Sequence, residues 1–288
     1  MCPLPILSAL ILALVALIPS ANATQRCTLG QPGNTQRVVI GDNGRSVLLH
    51  IPSGYRPGKP MPLLFVLHGS GGDGAAILSQ SGLAATSDRH GFLLAAPDGG
   101  IPLERGFVWN IPGVPTVTGK VPGPGDADDV AFIRATVDWL AAQGCADRTR
   151  VYSTGLSGGG RMTSWLGCVA SDKLAAIAPV VGLRAGNPLK SDPKRPDPAT
   201  CRPANPVQGG GAGYWQYTMD AALARWAELG ACRAGPLRRD LAIDLYEHLY
   251  TACGARAEVV GHIKRGAGHV WTADNEAMWR FLSRYRRL

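Results

Sequence analysis

Short apolar runs bounded by turn residues recur along the chain, separated by stretches whose apolar positions follow helical spacing. Residues 37–40 and 46–51 are two such runs, joined by Gly41-Asp42-Asn43-Gly44, and Asn-Gly between them predicts a hairpin. Leu63-Leu64-Phe65-Val66-Leu67 is continuous, the reading of a strand buried on both faces in a parallel sheet. It ends in His68-Gly69-Ser70-Gly71-Gly72, and a helical pattern covers residues 74–90. A second buried strand over residues 92–96 ends in Pro97-Asp98-Gly99-Gly100. A Gly/Pro-rich loop follows over residues 99–125 and carries Trp109-Asn110; loops of this length beyond parallel strands usually shape a site. Asp126, Asp128 and Asp129 precede a helix over residues 130–140, where carboxylates cap the first turn and complement its dipole rather than hold a metal. Residues 150–154 predict a strand, with a helix after it to about residue 170, and residues 174–181 another strand. Residues 182–213 read as loop and residues 214–229 as a helix whose Trp215, Met219, Leu223 and Trp226 face a core. Residues 241–245 and 257–263 are the last expected strands, and a helix runs from residue 271 to the end. Strands alternating with helices predict an α/β fold with a mostly parallel sheet, and no internal repeat or second domain is visible.

Length and composition narrow this picture. The chain has 288 residues, 45% of them hydrophobic, enough for one large domain over residues 24–288. Residues 4–19 are apolar and precede Ala21-Asn22-Ala23, the pattern of a signal peptide over residues 1–23 with cleavage after Ala23. Its charged amino-terminal region is atypical, since the first basic residue is Arg26. The run is short for a membrane span, so the expectation is a secreted or periplasmic protein with no stable anchor after cleavage. Six cysteines then remain, an even number that suits disulfides outside the cytosol. The expected pairs are Cys232–Cys253 and Cys168–Cys201, which bracket loop-rich segments, with Cys27–Cys145 as the remainder. No C-x-x-C occurs, which argues against zinc or thioredoxin-like chemistry. The net charge of +8 is dispersed, its densest cluster being Arg280, Arg284, Arg286 and Arg287, with Arg238-Arg239 before it. A solvated helix face is the expectation, with weak attraction to an anionic polymer as the alternative, and no nucleic-acid motif is present. Nothing in the sequence fixes the oligomeric state.

The candidate chemistry lies in Val151-Tyr152-Ser153-Thr154-Gly155-Leu156-Ser157-Gly158-Gly159-Gly160. This is G-x-S-x-G in the strand–turn–helix context it needs. Ser157 is the candidate nucleophile, raised on a sharp turn that glycines make room for. The Gly158 amide, at the start of the next helix, can face a developing oxyanion together with the backbone amide of Ser70 or Gly71. In α/β-hydrolases the partners follow in the order Ser, Asp or Glu, His. His269, in Gly266-Ala267-Gly268-His269-Val270-Trp271 between the last strand and the last helix, sits where the base belongs. His68 is expected to hold the oxyanion loop, and His50, His90, His248 and His262 to be ordinary. Trp109 and Trp271 are either walls of an acyl-binding cleft or packing residues.

These pieces together resemble a known family. Besides the serine motif they are His68-Gly69-Ser70-Gly71-Gly72, Pro97-Asp98-Gly99, Trp109-Asn110, Asp128-Asp129-Val130-Ala131-Phe132-Ile133, Gly182-Leu183-Arg184-Ala185-Gly186 and the His269 turn. The chain is similar to the secreted esterases grouped as polyhydroxybutyrate depolymerase-like and feruloyl esterase-like α/β-hydrolases. The resemblance implies the α/β-hydrolase fold, Ser157 as nucleophile, His269 as base, and carboxylic-ester hydrolysis without cofactor or metal. The implied substrate is an ester, polymer-linked, either a hydroxycinnamoyl ester of plant polysaccharide or a hydroxyalkanoate polyester.

One departure stands out. In that family a strand and a His-Gly-x-x-Asp turn carrying the triad acid follow the Cys-Arg-Pro region. Here Cys201-Arg202-Pro203-Ala204-Asn205-Pro206-Val207 runs directly into Gln208-Gly209-Gly210-Gly211. Asp192, Asp197 and Asp220 lie between Ser157 and His269 and are the candidates to serve instead, with Asp240 and Asp244 weaker. A sheet one strand short would let residues 257–263 pair beside residues 174–181, moving His269 by about 4.8 Å, one strand spacing. Loss of the acid would also impair catalysis, which leaves two rivals to an active esterase: a dead homologue that binds an aromatic or polymer ligand, and an acyltransferase on the same scaffold.

Overall fold

The computed structural model describes residues 27–41, 44–112, 114–184, 219–254 and 257–287. The expected signal peptide, the Asp192 and Asp197 candidates, and residues 201–211, where the acid-bearing strand and turn are missing from the sequence, lie outside them.

Strand β1 (Thr35–Val39) pairs antiparallel with β2 (Ser46–His50), as the Asn-Gly hairpin predicts. Strand β3 (Met61–Leu67) and β4 (Leu93–Pro97) are parallel neighbours, and β3 is flanked on its other side by β7 (Ala146–Leu156), which in turn pairs with β8 (Ala176–Val180). The sheet order is β1-β2-β4-β3-β7-β8, parallel from β4 to β8. Alternation sorts the β3 side chains between two cores. Leu63, Phe65 and Leu67 enter one with Phe132, Ile133 and Leu140, while Leu64 and Val66 enter the other with Ile77, Leu83 and Trp279. The first is covered by α3 (Asp129–Ala142) and α4 (Gly158–Val169), the second by α1 (Gly74–Ser81), α2 (Leu83–His90) and α6 (Asn275–Leu282). Trp279 of α6 stacks on Phe92 at 4.0 Å and meets Tyr152 edge-on at 5.8 Å, which fixes the last helix to the sheet.

Several expectations are corrected. The helix over residues 74–90 is two helices, because Gly82 takes the left-handed conformation (φ 63°) that ends α1 and starts α2. Residues 99–125 are not all loop, since β5 (Ile101–Pro102) and β6 (Phe107–Val108) form a small ribbon. The last helix begins at Asn275 rather than residue 271, capped by Asp274. Residues 241–245 are not a strand. They contain the turn between β9 (Ala234–Ala242) and β10 (Leu245–Thr251), with Ile243 fully exposed.

The largest correction concerns β11 (Val259–Lys264). It does not pair beside β8. It pairs antiparallel with β10, which pairs with β9, in a separate three-stranded sheet. A short connection brings β10 and β11 together at less loop-closure cost than the distant sheet edge would need. Helix α5 (Met219–Leu229) covers this sheet through Leu223 and Ala227, which meet Tyr250, Val259 and Ile263. Among the described residues β8 is the last strand of the main sheet.

Disulfides join Cys27 to Cys145 and Cys232 to Cys253 as expected. Cys168 is also disulfide-bonded. None of the helices among the described residues is long and apolar enough to cross a membrane.

Candidate active site

Ser157 follows β7 directly and lies between the carboxyl ends of β3 and β8. Its backbone lies at φ 55° and ψ −110°, a conformation that side chains resist and that costs about 1–3 kcal/mol where it occurs. The turn is held on both sides. Ser157 N donates to Val180 O at 2.9 Å, and Ser157 O accepts from Arg161 N at 2.9 Å. A Cβ on Gly155 would lie 2.6 Å from the Gly159 carbonyl carbon and 2.8 Å from Leu67 Cβ, and one on Gly160 would lie 2.8 Å from Val180 O. Glycine at these positions lets α4 begin directly against β3 and β8.

Facing Ser157 is the turn that leaves β3. His68 is buried, and its two ring nitrogens are both engaged: Nδ1 lies 2.8 Å from Gly69 O, and Nε2 accepts from Gly99 N at 2.9 Å. That fixes the neutral tautomer with the proton on Nδ1, and burial pushes its pKa below the usual histidine value. Trp109 Nε1 donates to His68 O at 2.8 Å, with the two rings 4.7 Å apart. The expected role of His68 in holding this loop therefore has a hydrogen-bonded basis.

Of the two alternative amide donors, Gly71 N is already used, donating to Phe107 O at 2.9 Å. The Ser70 amide is the one beside Gly158: a Cβ on Gly158 would lie 2.9 Å from Ser70 N. Neither the Ser70 amide nor the Gly158 amide has a hydrogen-bond acceptor among the described residues. Two unsatisfied donors at one point, at the amino terminus of a twelve-residue helix, suit a developing negative charge.

A small cleft opens here, walled by Trp109, Ile111, Val114 and Thr116 from the long loop and by Ser70, Gly158 and Arg161 from the sheet side. Trp109 is 4% exposed, so it is at once a packing residue and part of the wall. Trp271 is half-buried against the second core, and its Nε1 donates to Asn275 Oδ1 at 2.9 Å.

His269 lies exposed in the turn between β11 and α6, and no carboxylate hydrogen-bonds it among the described residues. The described acid candidates are engaged elsewhere. Asp220 Oδ1 is 3.1 Å from His248 Nδ1, Asp240 pairs with Arg238 at 2.9 Å, and Asp244 is 4.0 Å from Lys264. No cluster of His, Cys, Asp or Glu among the described residues is arranged to hold a metal ion.

Two further residues shape the site: Asp129, expected to cap the start of α3 but buried instead, and Arg161, which sequence reasoning did not single out. Asp129 is fully buried; its Oδ1 accepts from Arg45 Nη2 at 2.6 Å and its Oδ2 from Asn110 N at 2.7 Å, pinning the Trp109 loop to α3. Arg161, buried in the first turn of α4, donates from Nη2 to Ser70 Oγ at 3.3 Å. An arginine within Gly158-Gly159-Gly160-Arg161-Met162, on an otherwise apolar helix, is the signal that could have pointed to it.

No family model matches the chain. Feruloyl esterase B of Piromyces equi is 34% identical over 135 residues, which are 47% of this chain and 23% of that protein. The putative esterase NocK of Nocardia uniformis subsp. tsuyamanensis is 35% identical over 189 residues, 62% of this chain and 52% of that one. The matches thus span at most about half the length of these relatives. The acetyl xylan esterase from Aspergillus awamori superposes over 87% of this chain and 99% of its own, with a TM-score of 0.60 and 16% identity. That likeness, together with the sheet order and the Ser157 turn, identifies the fold as that of the α/β-hydrolases.

Proposed function

We propose that this chain is an exported serine carboxylic-ester hydrolase acting on esters carried by plant polysaccharide. The observation that carries the reading is Ser157, held in a strained turn beside the unsatisfied amides of Ser70 and Gly158. The relatives named feruloyl esterase and the structural neighbour named acetyl xylan esterase support the substrate class. The disulfides support an oxidising compartment.

In this reading Ser157 Oγ attacks the ester carbonyl as His269 takes its proton. The carbonyl oxygen becomes an oxyanion between the Ser70 and Gly158 amides. The tetrahedral species collapses, the alcohol leaves with the proton from His269, and a water activated by the same imidazole releases the acid. Acyl transfer of this kind uses no cofactor. The acyl group lies along the Trp109 side of the cleft. Hydroxycinnamoyl esters are the first substrates to try, and hydroxyalkanoate polyesters the second.

A second reading, the impaired or dead homologue, is favoured by one observation: His269 has no carboxylate partner among the described residues. Without such a partner the imidazole tautomer is unsupported, and loss of the acid lowers the rate by about 10⁴ in a related triad. Incubation with a fluorophosphonate probe and with p-nitrophenyl acetate separates the two. The esterase reading expects labelling and turnover that disappear in Ser157→Ala and fall sharply in His269→Ala. Folded wild-type protein that neither labels nor turns over would establish the dead homologue. Acyl transfer to an added alcohol in preference to water would establish the acyltransferase.

A further inference from the structure

We infer that the Ser70 hydroxyl is a third donor to the oxyanion, and that Arg161 is the positioning residue that aims it. The inference rests on Ser157 being the nucleophile. The Ser70 side chain lies over the start of α4: a Cβ on Gly158 would come within 2.5 Å of Ser70 Oγ, as well as 2.9 Å from Ser70 N. Amide and hydroxyl of one residue thus both lie against the start of α4, and Ser70 and Gly158 line the same cleft.

The direction of the hydroxyl proton follows from its neighbour. Arg161 Nη2 lies 3.3 Å from Ser70 Oγ. A guanidinium can only donate, so it faces a lone pair of the hydroxyl and leaves the single proton directed elsewhere. Among the described residues no other side chain or carbonyl takes that proton, and Ser70 lines the cleft that Gly158 also lines. A hydroxyl that accepts from a cation is also polarised as a donor.

The placement of Arg161 needs a reason of its own. It is 6% exposed and sits in the first turn of α4, the positive end of the helix dipole. Negative charge developing in front of the helix, which the ester carbonyl supplies in the transition state, is favoured by a cation at that place. The role of Arg161 is therefore to act through Ser70, without touching the substrate.

The test is steady-state hydrolysis of p-nitrophenyl acetate by wild type, Ser70→Ala, Arg161→Gln, the double variant and Ser157→Ala, with folding of each checked by circular dichroism. Removal of one oxyanion donor lowers kcat by about 10²–10³-fold, and Ser70→Ala is expected near the lower end with little change in KM. Arg161→Gln is expected to lower kcat in the same way. The double variant is expected to be no worse than Ser70→Ala alone, because the arginine acts through the hydroxyl. A kcat for Ser70→Ala within about twofold of wild type overturns the inference, as does a loss that falls on KM alone. Full additivity of the two substitutions overturns the role of Arg161. If Arg161→Gln does not fold, Ser70→Ala, a small change in a half-buried turn, still decides the hydroxyl, and the milder Arg161→Lys decides the arginine: it keeps the cation and should retain most of kcat. Activity surviving in Ser157→Ala would instead defeat the underlying assignment of the nucleophile, as would a wild type with no activity.

Discussion

His68 shows how a single buried residue at the end of β3 can carry a pH dependence without doing chemistry. It donates from Nδ1 to Gly69 O and accepts at Nε2 from Gly99 N, so a second proton would break the second bond inside the core. Its pKa in the folded chain is lowered, first by burial, from an ordinary 6.5. The sign follows directly. Above 6.5 neither folded nor unfolded chain binds the proton, and the stabilisation is complete. As the pH falls below that value, the unfolded chain takes up a proton that the folded chain refuses, and stability is lost. The urea midpoint of the wild type is therefore expected to fall between about pH 7.5 and pH 5.5. In His68→Asn the midpoint should be lower at both values but fall less between them. An equal fall in both proteins would show that other groups set the slope. The loop-holding role of this histidine was legible in the sequence, because it ends a buried strand directly before Gly69. The Ser157 turn was legible from the G-x-S-x-G pattern between a strand and a helix. Arg161 and Asp129 were not. Their roles depend on burial and on partners far along the chain, Ser70 and Arg45, which no local pattern reports.

At the scale of elements, the start of α3 separates two kinds of carboxylate that look alike in sequence. Asp128 is the N-cap, accepting from Ala131 N at 2.9 Å at the surface. Asp129, one residue on, is fully buried and ties Arg45 and the Asn110 amide to the helix, so the Trp109 loop hangs from it. Asp128→Ala should cost about 1 kcal/mol, the usual worth of a cap. Asp129→Asn removes the carboxylate charge of the buried ion pair with Arg45, and breaking a buried pair by removing one partner costs about 3–5 kcal/mol. Denaturant unfolding of the two variants checks the order, and a smaller loss for Asp129→Asn than for Asp128→Ala would refute it. The small sheet marks the limit of reading elements from pattern. Every residue of β9 is exposed, and the turn after it carries Ile243, so the apolar run over residues 241–245 imitates a strand where the chain reverses. Hydrophobic spacing reports burial, and an edge strand with none of its residues buried gives it nothing to report.

For the whole molecule, the two described disulfides do different amounts of the same work. Cys27–Cys145 closes 118 residues of chain, tying the segment before β1 to the entrance of β7, where Cys145 O also accepts from Met61 N at 2.8 Å. Cys232–Cys253 closes 21 residues, joining the end of α5 to the end of β10. If the effect lies mainly in the unfolded chain, the longer loop contributes about 4–5 kcal/mol and the shorter about 3 kcal/mol. The locations sharpen the contrast. Cys27 and Cys145 are both buried in the main core, so their loss also loosens packing around Leu29, Tyr55 and Leu140. Cys232–Cys253 serves the smaller sheet, which carries the chain into the His269 turn and has only a small core of its own. Cys27→Ser/Cys145→Ser should therefore lower the urea midpoint more than Cys232→Ser/Cys253→Ser. If His269 is the base, as proposed, the second variant should instead lose more ester turnover for each increment of lost stability, because its damage falls on the sheet that leads into the His269 turn. Midpoints and kcat/KM measured on the same preparations decide it. Turnover falling in step with stability in both variants would mean that the small sheet has no separate hold on His269.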